Sequence, residues 1–242
     1  MVKTDKLNPE NFELETSTVR SFSRRNWATH NSKYRNWSPD VVRNLIMRYS
    51  KEDLLLDPMI GTTAVECKLL DRHLLAYDIN PEALKITKEA LNFEYKSKAK
   101  IGLKLNDTRV LNFLKDESID FILTHPPYAD IINYSDKKIE KDLSNLHDID
   151  KFCDEMEIIA KEYFRVLKPK FCAILMGDTR RNKLYQPMAF KVMERFIKTG
   201  FQLKEDIVKV QHNCKATFRV KKSQEANFLL IMHEHLFVFQ KF

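Results

Sequence analysis

Four short segments of this chain carry residue types that could do chemistry together: Asp57, Asp78 and Asp107, each following an apolar run, and the stretch Ile122-Leu123-Thr124-His125-Pro126-Pro127-Tyr128. Asp78 lies 21 residues after Asp57, close to the spacing at which a nucleotide-binding sheet offers a carboxylate to ribose hydroxyls. An ionised carboxylate is an acceptor only, which matches a vicinal diol and rejects a 2′-phosphate. Any single Asp at such a place more often just ends a strand or caps a helix. Three in succession favour a nucleoside cofactor. In His125-Pro126-Pro127-Tyr128 the two prolines fix φ and remove two backbone donors, leaving rigid carbonyl acceptors with no competing N–H. Such a loop can accept hydrogen bonds from an amino group, and Tyr128 offers a flat face for stacking a base. His125 is either a neutral imidazole acceptor or a strand-end histidine bonded to backbone.

These residues need a scaffold that brings successive strand ends together. Apolar runs at 54–56, 74–77, 101–105, 119–123, 171–176, 202–210 and 228–239 alternate with amphipathic stretches at 63–70, 81–91, 150–167 and 187–198, after a helical stretch at 39–49. The pattern predicts an α/β fold with a doubly wound, mostly parallel seven-stranded sheet, whose ligands sit at the carboxyl ends of its strands. No repeat, low-complexity tract or Pro/Gly linker divides the chain, so residues 1–19 read as an N-terminal arm and 20–242 as a single domain with no large separate target-recognition domain.

On these residues the chain resembles the S-adenosylmethionine-dependent DNA amino-methyltransferases, which modify cytosine N4 or adenine N6 on a Rossmann-like fold. Asp57-Pro58-Met59-Ile60-Gly61-Thr62-Thr63 is similar to the family's D-P-F-x-G-x-G-T cofactor loop, Asp78 to its ribose-binding acid and Asp107 to the acid near adenine. Thr29 falls in the upstream segment that closes over the methionine end in these enzymes. His125-Pro126-Pro127-Tyr128 is similar to the catalytic tetrapeptide, D/N-P-P-Y in adenine-N6 and S-P-P-Y in cytosine-N4 enzymes. The resemblance implies S-adenosylmethionine as cofactor, bound by Thr29, Asp57, Met59, Gly61, Thr62, Thr63, Asp78 and Asp107. It implies His125, Pro126, Pro127 and Tyr128 as catalytic residues acting on a base flipped from double-stranded DNA. A separate restriction endonuclease is an implied system partner. Leu123-Thr124 is the pair that often precedes S-P-P-Y, which favours cytosine-N4 over adenine-N6.

The chain departs from that pattern in three places. The cofactor loop has one glycine where the family has two and is about two residues shorter. Glycine is scarce throughout, four residues where about 17 are expected at ordinary usage. Histidine replaces the Asp, Asn or Ser that opens the tetrapeptide.

Of 242 residues, 43% are hydrophobic and 31% charged, a globular balance that excludes collagenous and wholly disordered classes. There is no run of about 18 apolar residues and no apolar leader in the first residues, so a cytoplasmic protein with no membrane partner is expected. The four cysteines are scattered without a C-x-x-C pair, and no metal is expected although His212-Asn213-Cys214 and His233-Glu234-His235 look like ligand pairs. The net charge of +7 is uneven: residues 20–50 hold seven basic residues against one acidic, and 179–222 hold twelve against three. Arg180, Arg181, Lys183, Lys215, Arg219, Lys221 and Lys222 are therefore the expected phosphate and groove contacts. Two other functions fit parts of the pattern: an RNA methyltransferase of the guanosine-N2 type, which uses a D-P-P-Y loop, and a catalytically silent nucleic-acid binder, which the shortened glycine loop would suit.

Overall fold

The computed structural model describes residues 12–22, 37–51, 53–132, 134–212, 225 and 227–242. In chain order its elements are β1 (Val19–Ser21), α1 (Pro39–Tyr49), β2 (Leu54–Asp57), α2 (Thr63–Leu69), β3 (His73–Asp78), α3 (Pro81–Ala90), β4 (Ile101–Leu105), β5 (Ile119–Thr124), α4 (Ile149–Val166), β6 (Leu167–Met176), β7 (Thr179–Arg181), β8 (Leu184–Gln186), α5 (Met188–Lys198), β9 (Gln202–Val210) and β10 (His233–Gln240). The main sheet runs β1-β9-β10-β6-β5-β2-β3-β4, with β7 and β8 forming a separate hairpin. Strands β6, β5, β2, β3 and β4 are parallel, β10 is antiparallel to both neighbours, and β1 is parallel to β9. The central parallel strands are buried on both faces and read as unbroken apolar runs, Leu54-Leu55-Leu56 and Phe121-Ile122-Leu123 among them.

The sheet has eight strands, not the seven expected. The additional strand is Val19–Ser21, three residues without an alternating pattern, whose pairing with Val208–Val210 is a tertiary choice that no local signal announces. The stretch just before it, read as an arm, is bonded to the domain: the Glu15 N–H donates to Asn44 Oδ1 at 2.9 Å, and the Glu15 carbonyl accepts from Arg20 and Arg48. Strand β6 also starts earlier than the apolar run suggests, because α4 passes into it at Leu167 without a turn. Pro169 is accommodated where the β5–β6 register shifts, between Ile119 and Phe121, which is where a residue without an N–H belongs.

Two helix starts matter for the site. Asn80 caps α3, its side chain accepting from the Glu82 N–H at 3.0 Å, with Pro81 pre-set for the first turn. Asp148 caps α4, accepting from the Asp150 and Lys151 N–H groups, and Phe152, Met156, Ile159 and Tyr163 line its buried face under the sheet.

Candidate active site

The carboxyl ends of β2, β3, β4 and β5 open onto one cleft of about 810 Å³, counting its open mouth. Pro58, Met59, Ile60 and Gly61 form one wall, Asp78, Ile79, Asn80 and Ala83 the floor, and Asn106 to Arg109 the far side. His125, Pro127 and Trp37 close the end next to β5.

Asp78 sits on this floor as the last residue of β3. Its Oδ1 accepts from the Asn80 N–H at 2.7 Å, so the capping turn of α3 fixes the carboxylate's direction. Burial, reinforced by the nearby Asp142, pushes its carboxyl up to about 7, against the pull of the Asn80 N–H. The Ile79 N–H also bonds to it, and a vicinal diol would add two further donors. Asp57, grouped with it from sequence, does not line the cleft. It is fully buried beneath the loop, where Oδ1 accepts from the Met59 N–H at 3.2 Å and burial pushes its carboxyl up to about 8. Its part is to shape the turn that brings Met59 and Gly61 to the cleft. Thr62 and Thr63 are likewise buried rather than lining, and Thr62 Oγ1 donates to the Trp37 carbonyl at 3.0 Å, tying the entry of α1 to the loop. Thr29 lies outside the described residues.

Asp107 lines the cleft, but both of its oxygens accept from the Arg109 guanidinium, at 2.7 to 3.2 Å, and Oδ1 also takes the Arg109 N–H. These bonds to Arg109 outweigh burial and hold the carboxyl below its ordinary range. Asp107 thus lies in the cleft with both of its oxygens held by Arg109. Arg109 in turn reaches Glu155 of α4 and the Lys141 carbonyl, so the far wall is a fixed ionic brace.

At the end of β5, Thr124 is buried, and His125 and Pro127 face the cleft. Pro126 is buried, and Tyr128 stands behind the wall rather than in it. His125 Nε2 is 2.7 Å from the Tyr128 hydroxyl, which donates to Glu234 Oε1 at 2.8 Å, and Glu234 Oε2 accepts from Lys209 Nζ. The Trp37 ring lies 5.8 Å from the His125 ring, centre to centre. Burial drives the imidazole pKa down to about 4, despite the nearby Glu234 carboxylate, so His125 is neutral at physiological pH.

Tyr128 reaches this position because residue 177 has no side chain. A Cβ on Gly177 would stand 2.6 Å from Tyr128 Cε2, closer than any real contact, and Ala129 next to it takes φ of 47°. Gly177→Ala is expected to push the Tyr128 ring away from His125 and to cost about 1 to 3 kcal/mol, the usual penalty of overpacking. Thermal denaturation with near-ultraviolet circular dichroism checks both the loss and the moved tyrosine.

Sequence reasoning missed Glu234, Lys209, Trp37 and Arg109. The first two are a directly opposed cross-strand pair between β10 and β9, and their distance in sequence from the tetrapeptide leaves no local signal. It also missed the β7–β8 hairpin, whose strands are three residues each, turning through Asn182 and Lys183, both with positive φ. Of the expected nucleic-acid contacts, Arg181 is paired with Asp130 at 2.7 Å. Arg180 donates to the Leu229 and Lys183 carbonyls and packs on the Tyr185 and Phe228 rings. Lys183 is exposed at the hairpin tip, while Lys215, Arg219, Lys221 and Lys222 lie outside the described residues. The two histidine pairs are also placed in part: His212 bonds Ser21 Oγ, Cys214 lies outside the described residues, and His235 is bonded to Asp206.

A family model described as DNA methylase, of the N6/N4 methyltransferase class, matches residues 119–242, which is half of the chain and includes His125 to Tyr128. The chain belongs to that DNA methylase family. Its match starts at β5, so the cleft walls built by β2 to β4 rest on the geometry above rather than on the family match. Among solved structures, a SAM-dependent methyltransferase from Methanosarcina mazei is 16% identical, with 81% of this chain and 96% of that chain covered and a TM-score of 0.55. TrmN from Thermus thermophilus is 18% identical, with 89% and 51% covered and a TM-score of 0.57, so this chain spans about half its length. The [4+2]-cyclase SpnF is 13% identical, with 88% and 85% covered and a TM-score of 0.53. At such identities these likenesses establish the Rossmann-like methyltransferase fold, and a cyclase among them shows that the fold alone does not fix the reaction. No curated protein sequence matches the chain. No helix among the described residues is long and apolar enough to cross a membrane.

Proposed function

We propose that this methylase-family chain transfers a methyl group from S-adenosylmethionine to the exocyclic amine of a base in double-stranded DNA, with cytosine N4 as the acceptor. The observation that carries the reading is the meeting, in one cleft, of the buried Asp78 carboxylate with His125 and Pro127 of the acceptor loop. The cleft suits the cofactor: Asp78 would take the ribose hydroxyls, while Met59, Ile60 and Ile79 supply apolar surface for a purine. The family description supports DNA as the substrate, and Leu123-Thr124 before the tetrapeptide supports cytosine.

When bound, S-adenosylmethionine supplies an electrophilic sulfonium methyl. What the chain must supply is a better nucleophile, because the lone pair of an aromatic amine is delocalised into the ring. His125 and the Pro126 carbonyl are the two acceptors for the amine's hydrogens. Bonds drawn out of the ring plane turn the nitrogen toward sp3 and free its lone pair for attack. Transfer would break the methyl's bond to sulfur, release the cofactor as its neutral thioether and leave the amine nitrogen cationic and strongly acidic, so that even a weakly basic imidazole could take its proton and pass it to water. The target base must leave the helix stack to reach the cleft.

Calorimetric titration with S-adenosylmethionine tests the reading: saturable binding is expected, and its absence would mark a catalytically silent relative. Binding to duplex DNA should weaken with salt. With about six phosphates neutralised, log K is expected to fall against log[salt] with a slope of roughly −5. Lys183→Glu, at the exposed hairpin tip, should make that slope shallower by about 1 without changing cofactor affinity. Fluorescence anisotropy across a salt series measures both.

A further inference from the structure

A neutral imidazole presents one lone pair and carries its proton on either of its two nitrogens. The chain of contacts behind His125 decides this. Glu234 and Lys209 face each other across β10 and β9, and the glutamate is 7% exposed. Although burial pushes its carboxyl up, the Lys209 charge and the hydrogen bonds from Lys209 and Tyr128 hold it below its ordinary range, so it is ionised. An ionised carboxylate can only accept, so the single hydroxyl proton of Tyr128 goes to Glu234. The Tyr128 oxygen, 2.7 Å from His125 Nε2, is then left to accept, and Nε2 must be the protonated nitrogen. Because the ring is neutral, its lone pair is on Nδ1, which bonds to none of the described residues.

We propose that Glu234, held by Lys209, is a positioning residue that acts through Tyr128 to fix His125 as the Nε2–H tautomer, leaving Nδ1 as the acceptor for the target amine. The last clause rests on the proposed methyl transfer, and the tautomer assignment does not. The relay explains why histidine can stand where relatives use Asp, Asn or Ser. Those residues carry a side-chain oxygen that accepts whatever its surroundings, while an imidazole needs its proton steered to the far nitrogen. The same relay gives a reason for the buried ion pair between Glu234 and Lys209.

The tautomer is read directly from nitrogen chemical shifts and two-bond couplings of the full-length protein labelled with 15N-histidine, with His125→Asn identifying the resonance. The parent is expected to show a protonated Nε2 and an unprotonated Nδ1. Removing Glu234 alone would strand the Lys209 charge, so the informative variant is Lys209→Met with Glu234→Met, which replaces the pair with apolar side chains of similar size. In it the Tyr128 hydroxyl is released to donate to Nε2, and His125 is expected to switch to the Nδ1–H form. Its single-turnover methylation rate should fall at least about tenfold with cofactor affinity unchanged. Adding Tyr128→Phe removes the competing donor and should recover the Nε2–H signal and part of the rate. An unprotonated Nε2 in the parent overturns the proposal even if the variants do not fold. So does a tautomer that the double substitution leaves unmoved. Because the spectra are taken without cofactor or nucleic acid, failure of the relay and failure of the methyltransferase reading are separate results.

Discussion

Replacing Asp78 by alanine is expected to weaken S-adenosylmethionine binding by about 1.5 to 3 kcal/mol, the worth of hydrogen bonds to a charged acceptor. The magnitude follows from where the carboxylate stands. It is directed by the Asn80 N–H onto the cleft floor, and burial, with Asp142 nearby, lifts its carboxyl to about 7 against the bonds from the Asn80 and Ile79 N–H groups. Only the ionised form can accept from both hydroxyls of a diol, so affinity in the parent should fall as pH drops through about 7 and level off above it. The pH dependence should vanish in Asp78→Asn, whose amide does not titrate. Calorimetry between pH 5.5 and 8.5 measures both effects. An affinity that Asp78→Ala leaves unchanged would move the ribose site elsewhere.

His125→Ala is expected to lower the single-turnover rate at least about tenfold while leaving cofactor affinity intact, because the lost acceptor matters most as the lone pair localises in the transition state. The pH profile is equally specific. An unperturbed histidine would switch off near pH 6.5, but burial holds this one neutral down to about 4. Imidazole is the acceptor above its pKa and a double donor below it, so the contribution of His125 persists through the neutral range and is lost only as pH falls through about 4. The parent should thus show no acid limb from His125 between pH 5 and 8, and His125→Asn should be flat over the same range at a lower rate. A limb near 6.5 that disappears in His125→Asn would mean that the imidazole is solvated rather than buried.

Much of this scaffold was legible because central parallel strands, buried on both faces, are mostly apolar, as in Leu54 to Leu56 and Phe121 to Leu123, while the edge strand Ile101 to Leu105 shows the alternation of a half-exposed one. All became strands, and their carboxyl ends do meet in one cleft. The tetrapeptide was legible for the opposite reason: two prolines after a strand restrict the backbone so strongly that sequence alone states its hydrogen-bonding character. What sequence could not supply was the division of labour among similar residues. Asp57, Asp78 and Asp107 look alike in sequence, yet one is buried under a loop, one lies on the cleft floor and one is clamped by Arg109. Those differences are set by neighbours that only the fold brings near. The support of His125 is the extreme case, since Tyr128 contacts Glu234 across 106 residues of sequence.

The scarcity of glycine also acquires a physical side. Eight described non-glycine residues adopt positive φ, among them Asp71, Ala129, Asn182 and Lys183, where glycine would be free of strain. Asp71 is compensated by its carboxylate, which accepts from Ser97 and from the Lys98 N–H. Gly200 is the described glycine that takes positive φ, and Gly177 is required for room instead, since a Cβ there would meet the Tyr128 ring.

The central claim is methyl transfer to an exocyclic amine of DNA, and mass spectrometry of digested nucleosides tests it most directly. Duplex DNA of random sequence and total transfer RNA would each be incubated with the protein and S-adenosylmethionine carrying a deuterated methyl group. A labelled N4-methylcytosine is expected in the DNA digest and is expected to be lost in His125→Ala. Label found only in the RNA digest, on a ring carbon, or in neither digest would contradict it.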